Sequence, residues 1–276
     1  MLSGEGRGYK QSMKKIKTVV WATDFKDQAT GALGAAAILA GATGAHLIAC
    51  HVVPEKEKDS ASSNAEKELN KALKSIPMAR FPMSSVVLAG ESADEIIDLC
   101  KNSKADVLVF GCRQIDQDPL TLGSLAERLL RFSPVDCLIV RSSGWPRGRF
   151  AVMVDMSENS ARAVERGAEM AKIGKQKTMD VVLALNPEDV HLQVKDRSDA
   201  GRRLEAWLRT LNIKGIKPRS VVVDRGHKGL AKWALVEGID LIMSGSRGLG
   251  KCRTDPLGSF VLKTARVTPS TMWVTK

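Results

Sequence analysis

The chain has 276 residues, 43% of them hydrophobic and 26% charged, with a formal net charge of +11. That length and composition suit two ordinary cores. No uninterrupted run of about 18 apolar residues occurs, which argues against a membrane-spanning helix, and aromatics at 4% weigh against a base-stacking nucleic-acid module.

In chain order, residues 1–15 are polar, glycine-bearing and basic, with no apolar stretch of the kind a signal peptide needs. They read as a disordered tail, and Met13 is compatible with an alternative start. The missing export signal, together with free cysteines, points to the cytoplasm. Strand-like apolar runs then fall near 17–24, 45–53, 84–88, 106–111 and 136–141. Helical patterns lie between them near 27–42, 63–76, 92–103 and 123–132. The mixed-charge residues 55–59 and the following 60–64 read as a solvated loop before the second helix. Such alternation without hairpin signals predicts an α/β fold with a doubly wound parallel sheet.

Beyond a breaker-rich linker at 142–149 the pattern repeats. Ala105-Asp106-Val107-Leu108-Val109-Phe110-Gly111 is echoed by Ile239-Asp240-Leu241-Ile242-Met243-Ser244-Gly245, offset by 134. Gly123-Ser124 is echoed by Gly258-Ser259, and Asp24 and Asp155 each end a first strand. Self-similarity at this period predicts tandem domains at 16–141 and 150–276. Each is expected to be a five-stranded parallel sheet of order 3-2-1-4-5, with ligands at the carboxyl ends of its strands.

The second copy carries Gly245, Gly248, Gly258 and Ser259 in the spacing G-x2-G-x9-G-S. Glycines at a strand end let backbone amides approach an anion, and a Gly-Ser pair at a helix start adds free amides and the positive end of the helix dipole. This reads as a phosphate cradle. In the first copy Gly111 is followed by Gln114 where the second glycine belongs, and Gly123 comes one residue early. A side chain at Gln114 would obstruct a phosphate, so the first site reads as degenerate and empty. Charge agrees: residues 1–141 carry 18 Lys and Arg against 17 Asp and Glu, while 142–276 carry 24 against 14. Arg247, Lys251 and Arg253 lie within the second loop, where a positive field would draw anions.

These motifs, with Val154-Asp155-Met156-Ser157-Glu158-Asn159-Ser160 opening the second copy, resemble the universal stress protein family over about residues 16–276. The resemblance implies an α/β sandwich, often paired through the fifth strand, in which some members bind ATP and others do not. It implies phosphates at Gly245, Ser246, Gly248, Gly258 and Ser259, flanked by Arg247 and Phe260. It further places Asp155 near the ribose or adenine, and adenine against backbone at about Leu183 or Leu185. Asp24, Gly111, Gln114, Gly123 and Ser124 mark the degenerate counterpart. Asp155 and Ser259 could instead serve only as helix caps.

Other motifs compete weakly. Gly245, Gly250 and Lys251 fit the start of a Walker A loop, but Cys252 stands where a magnesium-binding hydroxyl is needed. His46, His51, His191 and His227 have no metal-site spacing. The five cysteines form no CxxC pair and read as reduced, mostly buried thiols, with Cys112 and Cys252 the most exposed. The expectation is a tandem stress-response sensor that binds ATP, with or without Mg2+, in its second domain. It would be an intramolecular pseudo-dimer acting on an unidentified protein partner, with further pairing of chains left open, no membrane insertion and at most slow ATP hydrolysis. The alternatives are a nucleotide-free scaffold or a polyanion-binding or nucleic-acid-binding protein.

Overall fold

The computed structural model describes residues 14–26, 29–77, 80–112, 122–141, 144–185, 196–211, 213–249 and 255–276. The first half runs β1 (Thr18–Ala22), α1 (Ala29–Thr43), β2 (His46–Val53), α2 (Lys58–Lys74), β3 (Met83–Ala89), α3 (Ser92–Asn102), β4 (Val107–Gly111), α4 (Ser124–Phe132) and β5 (Asp136–Val140). The second repeats it as β6 (Arg149–Val154), α5 (Glu158–Ile173), β7 (Thr178–Ala184), α6 (Arg197–Thr210), β8 (Lys217–Val223), α7 (Gly226–Val236), β9 (Ile239–Gly245), α8 (Ser259–Val267) and β10 (Thr271–Thr275). Central strand β4 is apolar throughout, and β9 is apolar apart from Asp240 and Ser244, because helices cover both faces of the sheet.

All ten strands form one sheet in the order β3-β2-β1-β4-β5-β10-β9-β6-β7-β8. Each half therefore has the order 3-2-1-4-5, and within each half neighbouring strands are parallel. The halves meet where β5 and β10 pair antiparallel, with Trp273 opposite Leu138 and Met272 opposite Ile139. One core layer lies under α1, α2, α5 and α6 and includes Trp21, Leu39, Phe150 and Trp273. The other lies under α3, α4, α7 and α8 and includes Leu108, Leu129, Ile242 and Val261. Both layers run across the seam, so apolar burial holds the halves to each other as well as internally.

A buried polar cluster fixes the seam. Asp136, at the start of β5, accepts hydrogen bonds from Trp273 Nε1 and from the Lys276 backbone N–H, each at 3.0 Å. Arg166 of α5 stands 3.4 Å from the same carboxylate. Burial pushes the Asp136 carboxyl above its ordinary range, and the Arg166 charge works against that shift.

The second helix corrects one sequence expectation. Residues 55–57 form a 3-10 turn and α2 already begins at Lys58, where a loop was expected. The charged run consists largely of helix formers, and Ser60 and Ser62 turn their hydroxyls back onto the carbonyls of Glu57 and Lys58. At the other end, the chain is tied down from Lys14, which pairs with Asp106 at 2.7 Å and offers its carbonyl to Arg166. Among the described residues, no helix is long and apolar enough to cross a membrane.

Candidate functional site

At the carboxyl ends of β6 and β9 the second half encloses a cavity of about 270 Å³. Strand β6 ends at Val154 and the chain turns sharply through Asp155 and Met156, the latter at φ +63°. The cap of α5 is Ser157, whose side chain accepts from the Ser160 N–H. Asp155 supports that cap from behind: its Oδ1 accepts from Ser157 N at 3.1 Å and from Ser160 Oγ at 2.7 Å. Its Oδ2 accepts from the backbone N–H of Leu249, in the loop after β9. One carboxylate thus joins the first strand's turn to the glycine loop.

That bond explains Gly248. A Cβ at this position would overlap the Asp155 carboxylate oxygen, so the second glycine makes room for the aspartate. At Gly245 a Cβ would stand 2.9 Å from the Asn159 Cβ. The Asn159 side chain also holds the loop by donating to the Arg247 carbonyl at 3.1 Å. Gly258 is less constrained, with φ of −62° and 3.4 Å between a Cβ and the Ser246 carbonyl oxygen. It occupies the N-cap of α8 without a side-chain cap bond, so the first turn of that helix opens onto the cavity with no cap side chain among the described residues. Ser259 is the first helical residue, not the cap.

Asp155, Gly245, Arg247, Gly248, Gly258, Ser259 and Phe260 all line this cavity. Ser246 does not; its N–H donates to Thr275 O and its carbonyl accepts from Gly258 N, both at 2.8 Å. Leu183 is fully buried in the opposite core layer, and the Leu185 backbone is engaged on both sides, by Val223 O and Gly226 N. Ala184, between them, faces the cavity. Ser244, Ser160 and Asp255, none of them among the residues expected from the sequence, line the same wall. Ser244 left a trace in the sequence, a lone hydroxyl in an apolar strand just before the glycine. The Phe260 ring packs edge-on to His227 at 6.3 Å, and burial lowers the His227 pKa, helped by Lys263 and Lys228. Lys251, Cys252 and Arg253 lie outside the described residues.

The first half has a corresponding cavity of about 450 Å³, lined by Asp24, His51, Gly111, Gly123 and Ser124 among others. Gln114 lies outside the described residues. Here the strand-end aspartate behaves differently. Asp24 accepts from the Lys26 backbone N–H at 3.1 Å and lies 3.8 Å from the Lys26 ammonium, so it serves its own turn. Phe25, at φ +57°, stacks on His51 with ring centroids 4.4 Å apart, and His51 Nδ1 is 2.8 Å from the Thr23 carbonyl oxygen. The N-cap Gly123 adopts φ +75°, a conformation that favours glycine, whereas Gly258 does not.

Cys112, expected among the exposed thiols, is buried at 3% exposure and its Sγ points to the Leu122 carbonyl. It directly follows β4 and belongs to the lining of the first cavity. Cys50, Cys100 and Cys137 are likewise buried thiols, and burial pushes the Cys50 thiol up to about 12.

The first half also reaches the second half's cavity. Arg131 of α4 pairs with Asp255 and, at 3.1 Å, with Glu127. Arg266 of α8 binds the other oxygen of Glu127 at 2.7 Å, and Arg141 donates to the Ala265 carbonyl at 2.6 Å. The Arg131 hydrogen bond holds the Asp255 carboxyl below its ordinary range, and that from Arg266 does the same for Glu127. Among the described residues, no group of three or more His, Cys, Asp and Glu side chains is arranged to hold a metal.

A duplicated doubly wound α/β unit, each copy with a glycine-bearing loop after its fourth strand, defines the class of this protein. The model of the universal stress protein family matches residues 15–141 and again 146–276, and the chain belongs to that family. Among solved structures, a universal stress protein from Archaeoglobus fulgidus DSM 4304 is similar at 20% identity and a TM-score of 0.74, over 94% of this chain and 98% of that one. A functionally unknown protein from Pseudomonas aeruginosa PAO1 is similar at 14% identity and a TM-score of 0.69, over 95% and 92%. A universal stress protein solved in complex with cAMP is 26% identical over 46% of this chain and 98% of its own, with a TM-score of 0.39. Among curated proteins, no relative matches.

Proposed function

We propose that the second domain binds an adenine nucleotide, ATP foremost, and that the protein acts as a stress-response sensor or regulator. The observation that carries this reading is the uncapped N-terminus of α8, which opens onto a cavity walled by Gly245 and Gly248. Free helix amides beside close-approach backbone suit phosphate oxygens. Base and sugar would then run from Gly245 toward Ala184, past Asp155. A sugar hydroxyl that competes for the Asp155 carboxylate would release the Leu249 N–H and change the surface offered to a partner protein. The two carboxylates on the wall, Asp155 and Asp255, are already hydrogen-bonded within the protein, so phosphates would bring any Mg2+ with them. Both carboxylates are already engaged by protein donors, which favours binding over turnover.

The first domain, whose Asp24 bonds to Lys26 within its own turn, serves in this reading as a structural or regulatory partner. A polyanion-binding role finds less support, because several basic residues of the second half are engaged in ion pairs, among them Arg149 and Arg219 with Asp180 and Arg197 with Asp224.

The test is to purify the protein from cells, denature it and identify released nucleotide by mass spectrometry, beside Gly248→Gln. Stoichiometric adenine nucleotide in the wild type and none in the variant is expected. A wild type that is empty and takes up no added ATP overturns the reading. Magnesium-dependent turnover at ordinary enzymatic rates would overturn the sensor role.

A further inference from the structure

The floor of the second cavity carries a polar group that the protein itself leaves unused. Ser244 is 2% exposed and lines the cavity, and its hydroxyl has no hydrogen-bond partner among the described residues. Buried hydroxyls are nearly always paired, and leaving one unpaired costs a folded protein stability. The hydroxyls of Thr264 and Thr275 are also buried and without a partner among the described residues, but neither residue lines the cavity. Ser244 lies in β9 opposite Val274, and the register of β6 places Met153 on its other side. Ile242 and Val261 share its core layer, so its immediate surroundings are apolar.

The repeat supplies an internal control. Phe110 precedes Gly111 in β4 as Ser244 precedes Gly245 in β9, and Phe110 lines the first cavity. A phenyl ring offers a ligand no hydrogen bond. The two floors therefore differ in chemistry at the position just before the first glycine of each loop.

We propose that Ser244 is a specificity-determining residue whose hydroxyl hydrogen-bonds the sugar–phosphate part of the nucleotide in the second cavity. This rests on the nucleotide reading above. The hydroxyl stands beneath Gly245, where the phosphate cradle begins, and a ligand seated there supplies the partner that the strand lacks. In the ligand-free protein the same hydroxyl is a liability, so affinity and stability should respond in opposite directions to its removal.

The test is calorimetric titration of ATP into the wild type, Ser244→Ala, Ser244→Thr and Gly248→Gln, with thermal unfolding of each ligand-free protein. Ser244→Ala is expected to weaken ATP binding about tenfold, the value of one hydrogen bond to a charged or polar ligand. Its ligand-free midpoint should hold or rise, and Ser244→Thr should recover most of the affinity. If the wild type binds ATP, Gly248→Gln abolishes binding and Ser244→Ala binds as the wild type does, the Ser244 assignment falls while the nucleotide reading stands. If the wild type binds no nucleotide, both fall. A lower midpoint with unchanged affinity would make Ser244 structural and overturn the assignment.

Discussion

Asp155 joins two pieces of chain, the cap of α5 and the loop after β9, which Asn159 also ties together through the Arg247 carbonyl. Gly248 is the counterpart that makes the contact sterically feasible. Gly248→Ala should therefore destabilise the protein by about 1–3 kcal/mol, as an intruding methyl in a packed site does. The Asp155→Ala background should remove much of that cost, because the overlapping oxygen is gone. A double-mutant cycle by denaturant unfolding should return a coupling of at least about 1 kcal/mol, and additive costs would show that the carboxylate does not set the requirement. The spacing of the glycines was legible in the sequence; their reasons were not. A second glycine there reads naturally as clearance for a phosphate, whereas it clears a neighbouring carboxylate. The offset between Leu183 or Leu185 and Ala184 has a related origin. A strand buried on both faces shows no polar alternation, so its sequence does not reveal which face each residue takes.

Ion pairs link α4 to α8 and to the segment before it across the seam: Glu127 with Arg266, and Arg131 with Glu127 and Asp255. Glu127 and Asp255 both have folded-state carboxyls below their ordinary values. Their contribution is thus complete above the usual carboxylate range and lost as acid protonates them, below about pH 4. The pH dependence of the unfolding midpoint should become shallower in that window for Glu127→Gln and for Asp255→Asn. An unchanged acid limb would show that these pairs add nothing to the folded state. The existence and order of the elements followed from hydrophobic periodicity and the punctuation between runs. The pairing of Arg131 with Asp255 could not follow from sequence, since it depends on how the two copies dock. The early start of α2 was hidden for a different reason, because a charged run that reads as solvated loop also contains good helix formers.

With both core layers continuous through β5 and β10, the chain should melt as one unit. Scanning calorimetry is expected to show a single transition, and two resolved transitions would show that the halves fold independently. Asp136→Ala leaves Arg166 and Trp273 Nε1 buried without their partner and should cost about 3 kcal/mol, read as a lowered midpoint. The family's fold was legible at this scale from the doubled motif alone, while the joining of ten strands into one sheet depends on the seam.

The seam also decides which parts of the sheet remain able to recruit foreign strands. Pairing β5 with β10 leaves only β3 and β8 at the rims. The rim strand β8 opens with Lys217, Pro218 and Arg219, charges and an imino acid that discourage further strand addition. The inner strands have no such protection: β5 and β10 are buried along their whole length and mostly apolar. A chain cut between its halves would expose two adhesive ribbons in place of one closed joint. Fusing the copies therefore protects against self-association, and that protection persists whether or not either cavity holds a ligand.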